Sequence, residues 1–508
     1  MNRRQFNKLL GSSLALTCLG SYGIVNGKTI PLQQPVLPTS FDEIDHFHIT
    51  HKLRDGHPFP VPKPSIYKDI VIVGGGISGL TALYRLSDFN CLLLDKEIEV
   101  GGNSRRRTHN GIQYPLGAVV SQGPIEPFSQ YFNELGVEFQ RIHSPELAYY
   151  VDGKMTIDPL GDGAGKLPFE PQTQQAFANL KSFFQPYLDP KQGIYFPYMD
   201  NPPQIRQLDK ITLWQFYEQF GFPQEVRDFM DCIVSSRLGC NGEKVSALVG
   251  VYLLSTFTAP SYTLPGGHGE ITHKLLQGLG KKADNFIQKG ITVTRVQNQD
   301  DGRVWVTAVR ENGEVFTVSA ASVIVATPKV ITKHIVADLE DEKKQALNKF
   351  TYNAYLVGQV SLKEAISPAF ELVSKDLFSR FIVQPDWIEN NKGINGRSHL
   401  TVYIPFPGHH GRYELFTARA QHFAQKIYDD INTLFGNKND VVEKITLHRW
   451  GHPMVIPTPG MQNTLEISRE PLGNIIFAHS DTFGVSGLYS AVWTGMDAYS
   501  EALLNFVE

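Results

Sequence analysis

Residues Lys68–Ser104 read KDIVIVGGGISGLTALYRLSDFNCLLLDKEIEVGGNS, and no other stretch limits the fold as tightly. Ile70–Val73 is an unbroken apolar run, the pattern of a strand buried on both faces. Gly74, Gly76 and Gly79 follow as G-x-G-x-x-G. The first glycine permits a tight turn, the second lets backbone approach a pyrophosphate, and the third lets helix pack on strand. Leu80, Leu83, Leu86 and Phe89 then recur at helical spacing, and a helix N-terminus favours an anion. A second apolar strand, Cys91–Leu94, ends at Asp95. That carboxylate lies about 20 residues after the first glycine, where it can accept hydrogen bonds from a ribose. Strand, turn, helix, strand and acid in this order predict a dinucleotide site.

The tail of the stretch, Glu99-Val100-Gly101-Gly102-Asn103-Ser104, resembles the extended fingerprint of the FAD-dependent amine oxidase and phytoene desaturase-like flavoprotein superfamily. In that family an arginine often flanks the Gly-Gly pair; here Asn103 and Ser104 intervene before Arg105–Arg107. Other segments resemble the family in order. Tyr114–Val120 carries Gly117-Ala118, a small-residue turn expected beside the flavin ring. Leu264–Gly269 opens a helix, and His268 within it is read as structural. A strand follows in which Val293 is expected to bond the adenine through its backbone. Next comes an apolar strand ending Ala326-Thr327-Pro328. The closing segment, Ile475–Thr482 and Gly487–Gly495, resembles a strand ending Ala-Gly-acid and a glycine-rich turn into a long helix. Its helix N-terminus would stabilise negative charge on the reduced flavin. The acid is displaced: Ser480 holds its usual place and Asp481 comes next. The resemblance thus implies non-covalent FAD held by Gly74, Gly76, Ile77, Ser78, Gly79, Asp95, Lys96, Gly101, Gly102, Asn103, Ser104, Gly117, Ala118, Val293, Ser480, Asp481 and Leu488.

The implied fold is α/β: a Rossmann-like, two-dinucleotide-binding-type FAD domain from residues 67–140, 237–330 and 446–508, with a discontinuous mixed α+β substrate domain from 141–236 and 331–445. Residues 28–66 read as an extended leader. His46, His48 and His51 within it come without a cysteine or carboxylate cluster, so a surface segment is expected rather than a metal site. Residues 1–27 read as a signal segment. Arg3-Arg4-x-Phe6-x-Lys8 resembles the twin-arginine export motif, and the apolar run after it is too short and too rich in Gly, Ser and Thr for a transmembrane helix. Periplasmic or exported location, with the twin-arginine machinery as a partner, is the expectation. A net charge of −4 gives no reason to expect nucleic acid as a partner. The four cysteines form no C-x-x-C, which argues against an iron–sulfur cluster, and Cys232 and Cys240 are candidates either for pairing or for buried thiols.

Three departures from amine oxidases qualify the substrate. The lysine that many of them hold near flavin N5 would fall around Leu356-Val357, and none is there. Pro459 and Gly460 stand where some members carry a flavin-linking cysteine. The cage tyrosine aligns near Gly487, with Tyr489 or Trp450 as substitutes. In His448-Arg449-Trp450-Gly451-His452-Pro453, His452 is the candidate base or orienting group and Trp450 the candidate apolar wall. The expected activity is dehydrogenation of a small organic substrate, an amine or polyamine, with oxygen or another acceptor taking the electrons. The alternatives are a desaturase- or isomerase-like flavoenzyme on an apolar substrate, or an electron-transfer flavoprotein.

Overall fold

The buried run Ile70–Val73 lies at the centre of a seven-stranded sheet, every residue of it at 3% exposure or less. The structure, a computed structural model, describes residues 22–25, 28–31, 38–42, 46–436, 438 and 440–506. The chain divides into Met1–Pro38 and Thr39–Glu508. In the first unit the described residues form one antiparallel strand pair, Tyr22–Val25 with Lys28–Pro31. The twin-arginine-like residues Arg3 to Lys8 and Cys18 lie outside the described residues.

In the second unit the strand order is Ile287–Lys289, Cys91–Asp95, Ile66–Val73, Val315–Val325, Val304–Arg310, Ile291–Asn298. The first four run parallel, and Val315–Val325 turns back into an antiparallel meander. One edge of Val315–Val325 is shared: Val315–Ala320 pairs the meander, and Val323–Val325 pairs Ile475–Phe477 in parallel. The carboxyl ends of Ile66–Val73, Cys91–Asp95, Val315–Val325 and Ile475–Phe477 therefore open on one side, where open α/β sheets bind ligands. Helix Ile77–Arg85 packs on the closing helix Leu488–Leu504. Ser78 Oγ lies 2.5 Å from Thr494 Oγ1, and a Cβ on Gly495 would come within 2.5 Å of the Ser78 carbonyl oxygen.

An eight-stranded sheet has the order Lys154–Ile157, Leu147–Val151, Glu371–Ser374, Phe381–Val383, Ser398–Phe406, Tyr352–Leu362, Val442–Val455, Thr39–Phe41. Its membership crosses the expected boundaries. Val442–Val455 is one continuous strand of this sheet, although residues from 446 onward were expected in the FAD domain. Helix Ala247–Thr258, expected in the FAD domain, packs on Pro171–Phe184 and Leu213–Gln219; its Gly250 would place a Cβ 2.5 Å from Leu213. The leader is not simply extended: Thr39–Phe41 adds an edge strand and His48–Arg54 forms a helix. Cys91, Cys232 and Cys240 are buried free thiols, so Cys232 and Cys240 are not paired. Among the described residues no helix is long and apolar enough to cross a membrane.

Candidate active site

Where the four parallel strands end, the glycine-rich turn opens a cavity of about 1150 Å³. Gly74 sits at φ +108°, and a Cβ there would lie 2.6 Å from the Ala326 carbonyl oxygen. Gly79 would place a Cβ 2.0 Å from the Gly74 carbonyl oxygen, so helix and turn touch only through glycine. Gly76 is different. Its φ is ordinary, and a Cβ would meet no protein atom within 4 Å. It faces the cavity, so what requires glycine there is room for a ligand rather than the fold. Asp95 is 8% exposed; its Oδ2 accepts from Gly75 N–H (2.5 Å) and its Oδ1 from Glu97 N–H (2.8 Å). Burial raises its carboxyl above the usual range, offset in part by those two donors.

The Gly-Gly pair closes the other side. Gly101 N–H donates to the Gly75 carbonyl (2.7 Å), with φ +121° at Gly101 and +56° at Gly102. Gly117 would place a Cβ 2.4 Å from the Asn103 carbonyl oxygen, and Ala118 N–H donates to that oxygen (3.2 Å), so the Gly117-Ala118 turn lies directly on Asn103. Arg105 takes the flanking position: Nε donates to the Gly102 carbonyl (2.9 Å), and the guanidinium lies 5.2 Å from the centre of the Trp450 ring.

Ile77, Ser78, Lys96, Ser104, Val293, Ser480 and Leu488 also line the cavity. Gly79 stands behind the wall, and so does Asp481. The Asp481 carboxylate, 1% exposed, accepts from Tyr352 Oη (2.5 Å), Lys329 N–H (3.2 Å) and Ser486 Oγ (3.2 Å). Burial alone would raise its pKa, but His479 and these donors outweigh it and hold it at about 2. Asp481 is thus spent inside the protein, and its neighbour His479 reaches the cavity instead. His479 has φ +92° and was not among the expected site residues. Its signal was present in the sequence: Ala478-His479 stands where the resembling motif has Ala-Gly.

Trp450 and His452 both line the cavity, on strand Val442–Val455, but at different places. Trp450 Nε1 donates to the Leu116 carbonyl (3.0 Å), beside the Gly117 turn. His452 lies edge-on to Tyr352, ring centroids 5.8 Å apart, on the flank where Asn103 Nδ2 donates to the Pro453 carbonyl (2.6 Å). Beyond the Gly117 turn the wall is largely aromatic. Tyr403 Oη donates to the Gly117 carbonyl (2.7 Å), Phe381 packs on Tyr403 at 5.7 Å, and Tyr489 Oη donates to the Gly123 carbonyl (2.6 Å). Val357 lines this lobe where the resemblance would place a lysine. Pro459, Gly460 and the three described cysteines do not line the cavity. His268 does; burial pushes its imidazole down to about 4, which keeps it neutral and suits a structural role.

These residues fit a dinucleotide. The Gly76 gap is open, the strand ends converge on it, and Ser490 Oγ, at the start of helix Leu488–Leu504, is buried with no partner among the described residues. The model of the family described as flavin containing amine oxidoreductase matches residues 77–498. The oxidoreductase PigB of Serratia is 24% identical over 85% of this chain and 74% of its own length. The flavin-containing amine oxidase A of Equus caballus is 24% identical over 58% of this chain, which spans 57% of that enzyme. In fold, the chain is similar to a putrescine oxidase bound to putrescine (TM-score 0.68, 17% identity, 87% of this chain and all of that one). It is similar also to the cyclohexylamine oxidase of Brevibacterium oxydans (TM-score 0.66, 19% identity, 87% and all). With a family match over most of its length and a cradle open at Gly76, the chain belongs to the flavin-containing amine oxidoreductases and is an FAD-dependent oxidoreductase.

Proposed function

We propose that the protein dehydrogenates a small amine at the C–H next to nitrogen, with FAD held non-covalently. The observation that carries this is the continuity of one cavity from the Gly76 gap, past the Gly117-Ala118 turn, into the aromatic lobe of Trp450, Tyr403 and Phe381. When bound, FAD supplies the acceptor for the two electrons of such an oxidation. The chain binds, orients and dries. Gly74–Ser78 and the N-terminus of helix Ile77–Arg85 take the phosphates. The remaining residues assigned from the sequence, Asp481 and Gly79 apart, take the rest of the cofactor, with Asp481 acting by positioning His479 and Gly79 by fitting helix to turn. Trp450, fixed through its Nε1, forms one wall of the substrate lobe, and Tyr403 holds the Gly117 carbonyl. His452, on the cofactor flank, orients polar groups there. Cysteine-linked flavin is not part of this proposal, because Pro459 and Gly460 lie off the cavity.

We propose also that the protein is exported in folded form by the twin-arginine machinery. The support is Arg3-Arg4-x-Phe6-x-Lys8, and a folded export route suits a protein that takes up FAD in the cytoplasm.

An anaerobic screen of amines, reading flavin absorbance, tests the activity. At least one amine is expected to bleach the flavin, and His452→Ala to lower turnover or substrate affinity by about tenfold. Turnover of a polyene or lipid with no bleaching by any amine would move the protein to the desaturase-like class, a reading that Val357 in the lysine position favours. Unchanged kinetics in the histidine variant would remove His452 from the site.

A further inference from the structure

Deep in the aromatic lobe stands one cation. Arg237 closes the last turn of helix Gln224–Leu238, and its guanidinium lies 4.9 Å from the centre of the Phe257 ring and 5.3 Å from that of Phe381. A guanidinium has five N–H donors in a planar fork. Arg237 makes one hydrogen bond among the described residues, Nη1 to Ser236 Oγ at 3.3 Å. The acid facing it, Glu371, forms an ion pair with it at 3.6 Å, beyond hydrogen-bond reach, and Glu371 Oε1 has no hydrogen-bond partner among the described residues. Burial raises that carboxyl and the neighbouring Arg237 lowers it, leaving it at about 7. The Arg237 side chain is 20% exposed, and it lines the cavity while Glu371 does not.

A guanidinium with unspent donors on a cavity wall marks a place for an acceptor. The two phenyl rings pack on Arg237, so a ligand reaches the N–H groups at the guanidinium edge, the direction in which a carboxylate pairs in bidentate fashion. Charge points the same way. Among the described residues the only carboxylates lining the cavity are Asp95 and Glu97, both at the phosphate-cradle end. Of the pair Arg237 and Glu371, only Arg237 reaches the wall of the far lobe, and a second ammonium group there would be repelled. We infer that the substrate lobe recognises an anionic group: the substrate is an amine carrying a carboxylate at the end remote from the oxidised carbon, and a diamine or polyamine is disfavoured. Phe381 and Tyr403 stand between Arg237 and the Gly117 carbonyl, so a spacer of several carbons separates the two ends. This rests on the proposal that the lobe next to Gly117-Ala118 receives the substrate.

Calorimetric titration of the FAD-loaded protein with hexanoate, hexylamine and 1,6-diaminohexane tests it without turnover. Hexanoate is expected to bind, and the diamine to bind most weakly. Arg237→Met should weaken hexanoate by about tenfold or more, the loss expected for hydrogen bonds to a charged group, and leave hexylamine unchanged. Glu371→Gln should retain hexanoate binding. If Arg237→Met does not fold, Arg237→Lys, which keeps the charge but loses the fork, should still weaken hexanoate. Hexylamine or the diamine binding as tightly as hexanoate, or hexanoate affinity indifferent to Arg237, would overturn the inference. A parallel anaerobic titration with 6-aminohexanoate and hexylamine separates this from the activity itself. Arg237-dependent hexanoate binding with no bleaching by either amine would sink amine oxidation and leave the anion site standing. Bleaching by hexylamine with no hexanoate binding would do the reverse.

Discussion

His479 holds its backbone at φ +92° and ψ 139°, a conformation natural to glycine and costly for any other residue, by about 1–3 kcal/mol. Such strain persists only where the surroundings impose it. Here the His479 N–H donates to Ser78 Oγ (3.1 Å) in the first turn of the phosphate-binding helix, and Asp481 N–H donates to His479 Nδ1 (3.2 Å). With Nδ1 accepting, the neutral ring carries its proton on Nε2 and presents a donor to the cavity. His479→Gly is therefore an informative substitution. Relief of strain is set against the extra entropy of glycine, about 0.5–1 kcal/mol, and the loss of the imidazole beside Asp481, so apoprotein unfolding in urea should show only a small change in stability. FAD affinity should fall by about tenfold, one charge-assisted hydrogen bond, in a fluorescence titration of apoprotein with FAD. An unchanged FAD affinity would mean that the imidazole serves only Asp481.

At the scale of elements, helix His48–Arg54 changes the meaning of the leader. Seven residues are too few for a stable isolated helix, so packing must hold it. Ile49 and Thr50 are buried, and Phe47 meets Phe416 edge-on at 5.6 Å. Thr50, His51, Leu53 and Arg54 form part of the cavity wall, which makes the leader a cover over the cofactor site. Phe47→Ala should therefore release FAD several-fold faster, followed by recovery of flavin fluorescence on dilution, with a stability loss of about 1–2 kcal/mol for a half-buried ring. A faster release without loss of melting temperature would still fit; an unchanged release rate would not. This helix shows what the sequence could not convey. Ile70–Val73, Cys91–Asp95 and the glycines between them were legible because periodicity and turn chemistry are local. Among the Pro- and His-rich residues 28–66 a seven-residue helix leaves too little periodicity to see. Arg237 on its helix was not singled out, since nothing within a few positions announces the Phe381 strand that folds over it. Val442–Val455 was divided between two domains because its motif, His448 to Pro453, was read together with the closing FAD segment, whereas its hydrogen bonds belong to the substrate sheet.

For the whole molecule, burial has pushed two sets of groups in opposite directions, and the balance sets the response to acid. His268, His399 and His448 are held neutral, with pKa values lowered by burial to about 4, 3 and 4. Between pH 6.5 and these values the unfolded chain takes up protons that the folded chain refuses, so stability falls as pH falls. Asp231, Asp386, Asp497 and Glu371 are raised by burial to about 6, 6, 6 and 7. Between those values and about pH 4 the folded chain binds the extra protons, so these groups favour folding as pH falls. The two sets oppose each other across this range, so stability should change less from pH 6.5 to about pH 4.5 than either set alone would make it. Below about pH 4 it should drop, because the carboxyl gains are complete, the His399 penalty grows on to about pH 3, and Asp481, held at about 2, begins to lose its depressed-pKa contribution. His399→Gln tests the balance. His399 is 1% exposed, stacks on Tyr114 at 4.0 Å and bonds Gln359 through Nε2 (2.8 Å), so the variant should be less stable at pH 7 by about 1–3 kcal/mol. It no longer carries a group that the unfolded chain protonates preferentially. Its deficit should therefore shrink on going from pH 7 to pH 5 by about 2 kcal/mol, read from urea unfolding at the two pH values. A deficit that is the same at both would mean that His399 is protonated in the folded chain, and the assigned balance of buried groups would fail with it.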